Sequence, residues 1–137
     1  MKTMKQVSAV IERGTDGRYS VYVNDSHYPY GIIGTGSTVQ EAEADFQAGY
    51  NDMKAFVEES GETFEEADFS FVYDVPSFLQ EYAFAFSLAG LERITGINQK
   101  QLGHYISGYR SPSRKTVRRI EASIRSFCAR LSSVHFK

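Results

Sequence analysis

The run TGINQKQLGHYISGYRSPS, residues 95–113, carries Asn98, Gln99, Lys100, His104 and Ser107 within one short stretch of chain. These side chains suit the reading of nucleic-acid edges. Glutamine pairs with adenine, lysine donates to guanine or phosphate, and histidine donates to a guanine acceptor or a phosphate. At helical spacing, Leu102, Tyr105 and Ile106 turn inward with Ile97, which leaves Gln99, Lys100, Gly103, His104 and Ser107 on the opposite face. Asn98 has the chemistry of an N-cap, and Gln101, three residues on, can close a capping box. Arg110, Arg114 and Lys115 follow as cations able to neutralise phosphates. A polar exposed helix in any small bundle is the plainer reading. The cap, the turn glycine Gly96, the polar face and the basic flank together favour DNA.

Other constellations point less far. GIIGTG, residues 31–36, lacks the Lys-Ser/Thr ending of a phosphate loop, and a strand end with a tight turn explains it more simply. Glu41, Glu43 and Asp45, with Asp25 and Asp74, suggest a metal-dependent hydrolase only if a nucleophile or base joins them, and none is visible. His27, His104 and His135 have no metal-ligand spacing, so no catalysis, metal or cofactor is expected. Cys128, the one cysteine, excludes an internal disulfide framework. It falls on a predicted helical stripe as a small buried hydrophobe.

The elements that position these residues change character along the chain. Gln6–Glu12 and Tyr19–Asn24 predict a hairpin around GTDG, and a third strand is expected over Tyr28–Ile33. Thr38 with Glu41 predicts a capping box. The helix behind it would bury Ala42, Phe46, Tyr50, Met53 and Phe56 and stop at Gly61. Phe69–Val75 reads as a fourth strand. From Pro76 the pattern is helical: Pro76–Ala85, Ser87–Thr95, Asn98–Ser107, and a long helix from Ser113. The apolar stripe of that last helix is Val117, Ile120, Ile124, Phe127, Cys128 and Leu131. The expected fold class is α+β: a small three- to four-stranded sheet with one covering helix over 1–75, then an all-α domain over 76–137.

Charge divides at the same place. Residues 1–74 hold five Lys and Arg against fourteen Asp and Glu, a balance of -9; the remainder holds ten against three, or +7. Two modules facing partners of opposite sign are implied. The opening MKTMKQVSAVIERG has no apolar run of signal-peptide length and no segment approaches a membrane span, so a cytoplasmic protein is expected.

Leu88–Phe127 resembles a Cro/C1-type (XRE-like) helix-turn-helix DNA-binding domain. The resemblance rests on Leu91, Gly96, Ile97, Asn98 to Leu102, Tyr105, Gly108 and Pro112; Glu92 stands where that family usually has a small residue. It implies base reading by Gln99, Lys100 and His104, with Asn98 near a phosphate. The front half, GRYSVYVND and GTGSTVQEAEADFQAGYNDM, is similar to the N-terminal domain of HicB-type antitoxins. That similarity implies a degenerate ribonuclease-H-like fold without nuclease activity, and a small basic HicA-type toxin as partner. VNDSHYPYGIIG replaces the Pro-Asp-Leu-Pro-Gly-Cys-like segment common in that family.

The expectation is therefore an antitoxin-like transcriptional repressor. As a homodimer or higher homo-oligomer it would bind an inverted-repeat operator in double-stranded DNA and neutralise a toxin ribonuclease. The alternative is a stand-alone helix-turn-helix regulator whose front domain senses a ligand or a protein.

Overall fold

The computed structural model describes residues 4–137, and Met1, Lys2 and Thr3 lie outside it. The chain is α+β and divides into two compact units, Met1–Asp74 and Val75–Lys137. Unit 1 runs β1 (Lys5–Arg13), β2 (Tyr19–Val23), β3 (Ile33–Gly36), α1 (Val39–Glu59) and β4 (Ala67–Tyr73). The sheet order is β3-β2-β1-β4, with β1 antiparallel to β2 and parallel to β4. Strict alternation in β1 and β2 sends Val7, Ala9, Ile11, Tyr19 and Val21 into a core against Ala42, Phe46 and Tyr50 of α1. The hairpin turn closes through Gly17 at φ +82, with the Asp16 carboxylate accepting from the Arg18 N–H at 3.0 Å.

The third strand lies later than the sequence pattern places it. Tyr28–Ile32, and with them Gly31, are turn and irregular chain, whereas Gly34 and Gly36 are strand residues. The cause is the closeness of α1. A Cβ at Gly34 would sit 2.2 Å from the Phe46 nitrogen and 2.4 Å from the Ala42 carbonyl oxygen. Glycine is here a spacing device under a helix, not turn punctuation.

Helix α1 is capped by Thr38, whose hydroxyl accepts from the Glu41 N–H at 3.0 Å. The Glu41 carboxylate reaches Ser37 N–H at 2.8 Å, one residue before the position a capping box uses. At the other end Gly61 (φ +82) donates to Glu58 and Glu62 donates to Val57, which satisfies the last carbonyls. Phe56 is 68 % exposed, contrary to its expected place on the buried stripe, and Val57 fills that place instead.

Unit 2 is all helix: α2 (Val75–Glu81), α3 (Leu88–Thr95), α4 (Gln99–Ser107) and α5 (Arg114–Ser132). Val75 opens α2 and does not close β4, and α2 stops at Glu81, short of the expected Ala85. Its core joins Leu79, Leu91, Ile97, Leu102, Tyr105 and Ile120. Of the expected α5 stripe only Ile120 is fully buried. Leu131 is 59 % exposed and Cys128 is exposed, because α5 outruns the core it packs on. Among the described residues no helix is long and apolar enough to cross a membrane.

Candidate nucleic-acid interface

Helices α3 and α4 meet at Gly96, which holds φ +74 and donates to the Glu92 carbonyl at 2.7 Å. A left-handed residue ends α3 in one step, and glycine adopts it without a Cβ penalty. Both sides of the joint are tied. The Glu92 carboxylate crosses the turn to accept from the Gln99 N–H at 3.0 Å, while Asn98 Oδ1 accepts from the Lys100 N–H at 2.8 Å. Arg119 of α5 donates to the last carbonyls of α3, Thr95 at 3.1 Å and Gly96 at 3.2 Å. Carboxylate at a helix start and cation at a helix end both suit the helix dipole.

Gln101 does not close the capping box expected of it. Its amide donates to the Tyr105 hydroxyl at 2.9 Å, and the N–H next after the Asn98 cap, that of Gln99, is taken by Glu92. Leu102 and Tyr105 are buried, so the face bearing Asn98, Gln99 and Lys100 is exposed. A Cβ at Gly103 would meet nothing within 4 Å, which leaves that face flat at its middle.

His104 departs from the fully outward position expected of it. It is half-buried, its ring meets the Tyr109 ring edge-on at 4.9 Å, and its Nδ1 is buried without a hydrogen-bond partner. The Ser107 hydroxyl donates to the His104 carbonyl at 3.2 Å, so it serves the end of α4. Arg110 donates its N–H to the same carbonyl at 3.2 Å, and its guanidinium lies 5.7 Å from the Tyr109 ring centroid. Tyr109, 71 % exposed beside this helix end, was not legible as a surface feature, because a lone aromatic after a glycine has no periodicity to mark it.

Arg114 and Lys115 stand in the first turn of α5, behind the Ser113 cap. Cations there oppose the helix dipole by a few tenths of a kcal/mol each, a cost that an external anion would reverse. Among the described residues none of Lys100, Arg110, Arg114 and Lys115 joins an ion pair.

The acids weighed as a hydrolase cluster have structural partners. Asp45 accepts from the Thr35 N–H at 2.8 Å and Glu41 accepts at Ser37, so both pin the β3–α1 connection. Among the described residues no group of three His, Cys, Asp or Glu is placed to hold a metal. Elsewhere in unit 2, Phe86, Ile94, Phe127 and Leu131 line an open groove rimmed by Arg93 and Arg130. Comparison with known proteins finds no match to the chain among family models, curated sequences or solved structures.

Proposed function

We propose that this chain is an antitoxin-like transcriptional repressor and not an enzyme. In this reading α3 and α4 form a helix-turn-helix. Helix α4 enters the major groove with Gln99 and Lys100 on base edges, and His104 follows one turn later. Asn98, Arg110, Arg114 and Lys115 contact phosphates, and Ser107 holds the end of α4 in shape. The observation that carries the reading is the clamped joint at Gly96: a short rigid turn that presents a polar, flat helix face in a unit whose Lys100, Arg110, Arg114 and Lys115 join no ion pair among the described residues.

One such helix reads too few base pairs to single out a genomic site, so the working form is a homodimer on an inverted repeat. Unit 1, with its hairpin, third strand and covering helix, is the HicB-like part. Its charge of -9 suits a small basic HicA-type toxin ribonuclease, whose RNA-binding surface must be positive.

The test is selection of bound duplexes from a random-sequence pool by the full chain. Enrichment of an inverted repeat with half-sites about 10 bp apart is expected. Failure to enrich any sequence overturns the repressor reading. Loss of the enriched motif in Gln99→Ala and Lys100→Ala variants ties it to α4.

A further inference from the structure

The side of the unit 1 sheet turned away from α1 carries an apolar bar. Strand register sets Ile33 opposite Tyr22, Tyr22 opposite Val10, and Val10 opposite Val72. One residue from each of four strands therefore stands in a single row, about 14 Å long at a strand spacing near 4.8 Å. Alternation fixes the side, since the neighbours Gly34, Val21 and Ile11 are buried on the side that α1 covers. Ile33 is 61 % exposed and Val72 44 %, while Tyr22 and Val10 are half-buried. The flanking rows are mostly small hydroxyls, Ser8 with Ser70 and Ser20 with Thr35, and Glu12 stands opposite Ser20 at the edge of the bar.

At the strand positions around it the charges share one sign, and Arg18, one residue before β2, is turned to the Ser37 hydroxyl at 3.1 Å. Glu12 accepts from the Tyr22 hydroxyl at 2.9 Å, and Asp68 is held by the Gln6 amide at 2.9 Å. Asp74 follows Val72 by two residues on the same side. Burial, with Glu12 and then Asp74, raises the pKa of the Tyr22 phenol above its ordinary value. No Lys or Arg occupies a strand position on that side among the described residues.

We propose that this face docks a basic amphipathic segment of a partner protein. The partner's apolar stripe lies on the Ile33–Tyr22–Val10–Val72 bar, and its Lys and Arg side chains reach Glu12, Asp68 and Asp74. The assignment rests on the toxin-neutralising reading above and places the contact on the open sheet, since Glu41 and Asp45 of α1 are engaged with backbone. A second copy laid face to face would oppose acid to acid, and DNA would be repelled, so charge selects a cationic protein.

The test uses the full chain and a helical Leu/Lys amphipathic peptide as probe, followed by methyl NMR. Shifts confined to Ile33, Val10 and Val72 are expected. Ile33→Lys with Val72→Lys should weaken peptide binding about tenfold or more, the equivalent of 1.4 kcal/mol. Both positions are exposed, and an unchanged thermal melt confirms that the fold survives. Glu58→Lys with Glu59→Lys, at the end of α1, should change binding less than about twofold, the near-neutral effect of a charge outside the contact. Shifts on α1 or none at all, or sensitivity to the α1 pair alone, overturn the proposal. So does sedimentation showing that the sheet-face pair turns an oligomer into a monomer, which makes the face an interface between copies.

Where a short basic reading frame adjoins the gene, co-expression with its product separates this proposal from the functional reading. Binding of that product that ignores the sheet-face variants sinks the docking face and leaves the antitoxin reading. Peptide binding at the bar without binding of that product does the reverse.

Discussion

The Tyr28 hydroxyl donates to the Glu65 carbonyl at 2.8 Å, and its ring packs edge-on against Tyr30 and Phe69. Burial first, then the neighbouring Tyr50, Tyr30 and Glu65, hold this phenol protonated well above its ordinary value of 10.0. An unfolded chain releases that proton near the ordinary value, so the folded state binds it more tightly. Stability is therefore full below about pH 10 and falls as pH rises beyond it. Urea melts across the alkaline range should show that fall. Tyr28→Phe should cost about 1 kcal/mol at neutral pH through the lost hydrogen bond, and it should flatten the alkaline limb. If α4 reads bases as proposed, Gln99→Ala should relax preference at one base position by about 1–3 kcal/mol. Arg114→Ala should weaken binding to all sequences alike, as competition assays with specific and scrambled duplexes can resolve. The polar side chains of this face are legible from spacing alone, because Leu102 and Tyr105 fix which way α4 must turn. The half-burial of His104 is not, since it follows from where the chain after Gly108 places Tyr109.

Between elements, the contacts that set geometry are backbone to side chain. Gly34→Ala drives a Cβ into the backbone of α1 at Phe46 and Ala42. Backbone cannot rotate aside as a side chain does, so the loss should reach about 3 kcal/mol or more, read as a lower denaturation midpoint. Gly96→Ala should cost about 1–2 kcal/mol for the left-handed conformation, and it crowds the Arg119 guanidinium that holds the end of α3. Its loss of specific DNA affinity should exceed what the melt explains, because the angle between α3 and α4 shifts. Caps at Thr38, Ser87, Asn98 and Ser113 are short-range chemistry and can be read along the chain. The partner of Gln99 N–H cannot: Glu92 lies seven residues away on another helix, and only the fold brings it there. Gly34 and Gly36 mislead for a similar reason, since a glycine placed for a helix above it looks the same in sequence as one placed for a turn.

At the scale of the molecule, the charge balance of -9 and +7 divides the chemistry between the two units. If each chain neutralises about three phosphates, a dimer should show a log-log salt slope of roughly -5 with its operator. A slope near zero sinks the DNA assignment. The antitoxin reading requires a short basic reading frame beside the gene, and residues 1–75 co-expressed with its product should co-purify with it and restore growth; absence of such a neighbour, or binding that needs the whole chain, favours a stand-alone regulator. The α+β class is legible because period-two runs flank one helical run before Pro76 and only helical runs follow it. The extent of the α5 stripe is not, because an apolar pattern does not say where the core beneath it stops.

Cys128 sits on that overhanging stretch as the chain's single sulfhydryl, and it is exposed. It has no companion within its own chain, so a disulfide between protein thiols there can only join two chains. Preparations kept without reductant should accumulate a covalent pair on non-reducing gels whatever the native assembly is. The same solitude makes it a surveyor's mark. One maleimide spin label per chain, with and without duplex, would measure the separation of two α5 helices and so date the pairing to before or after DNA is met.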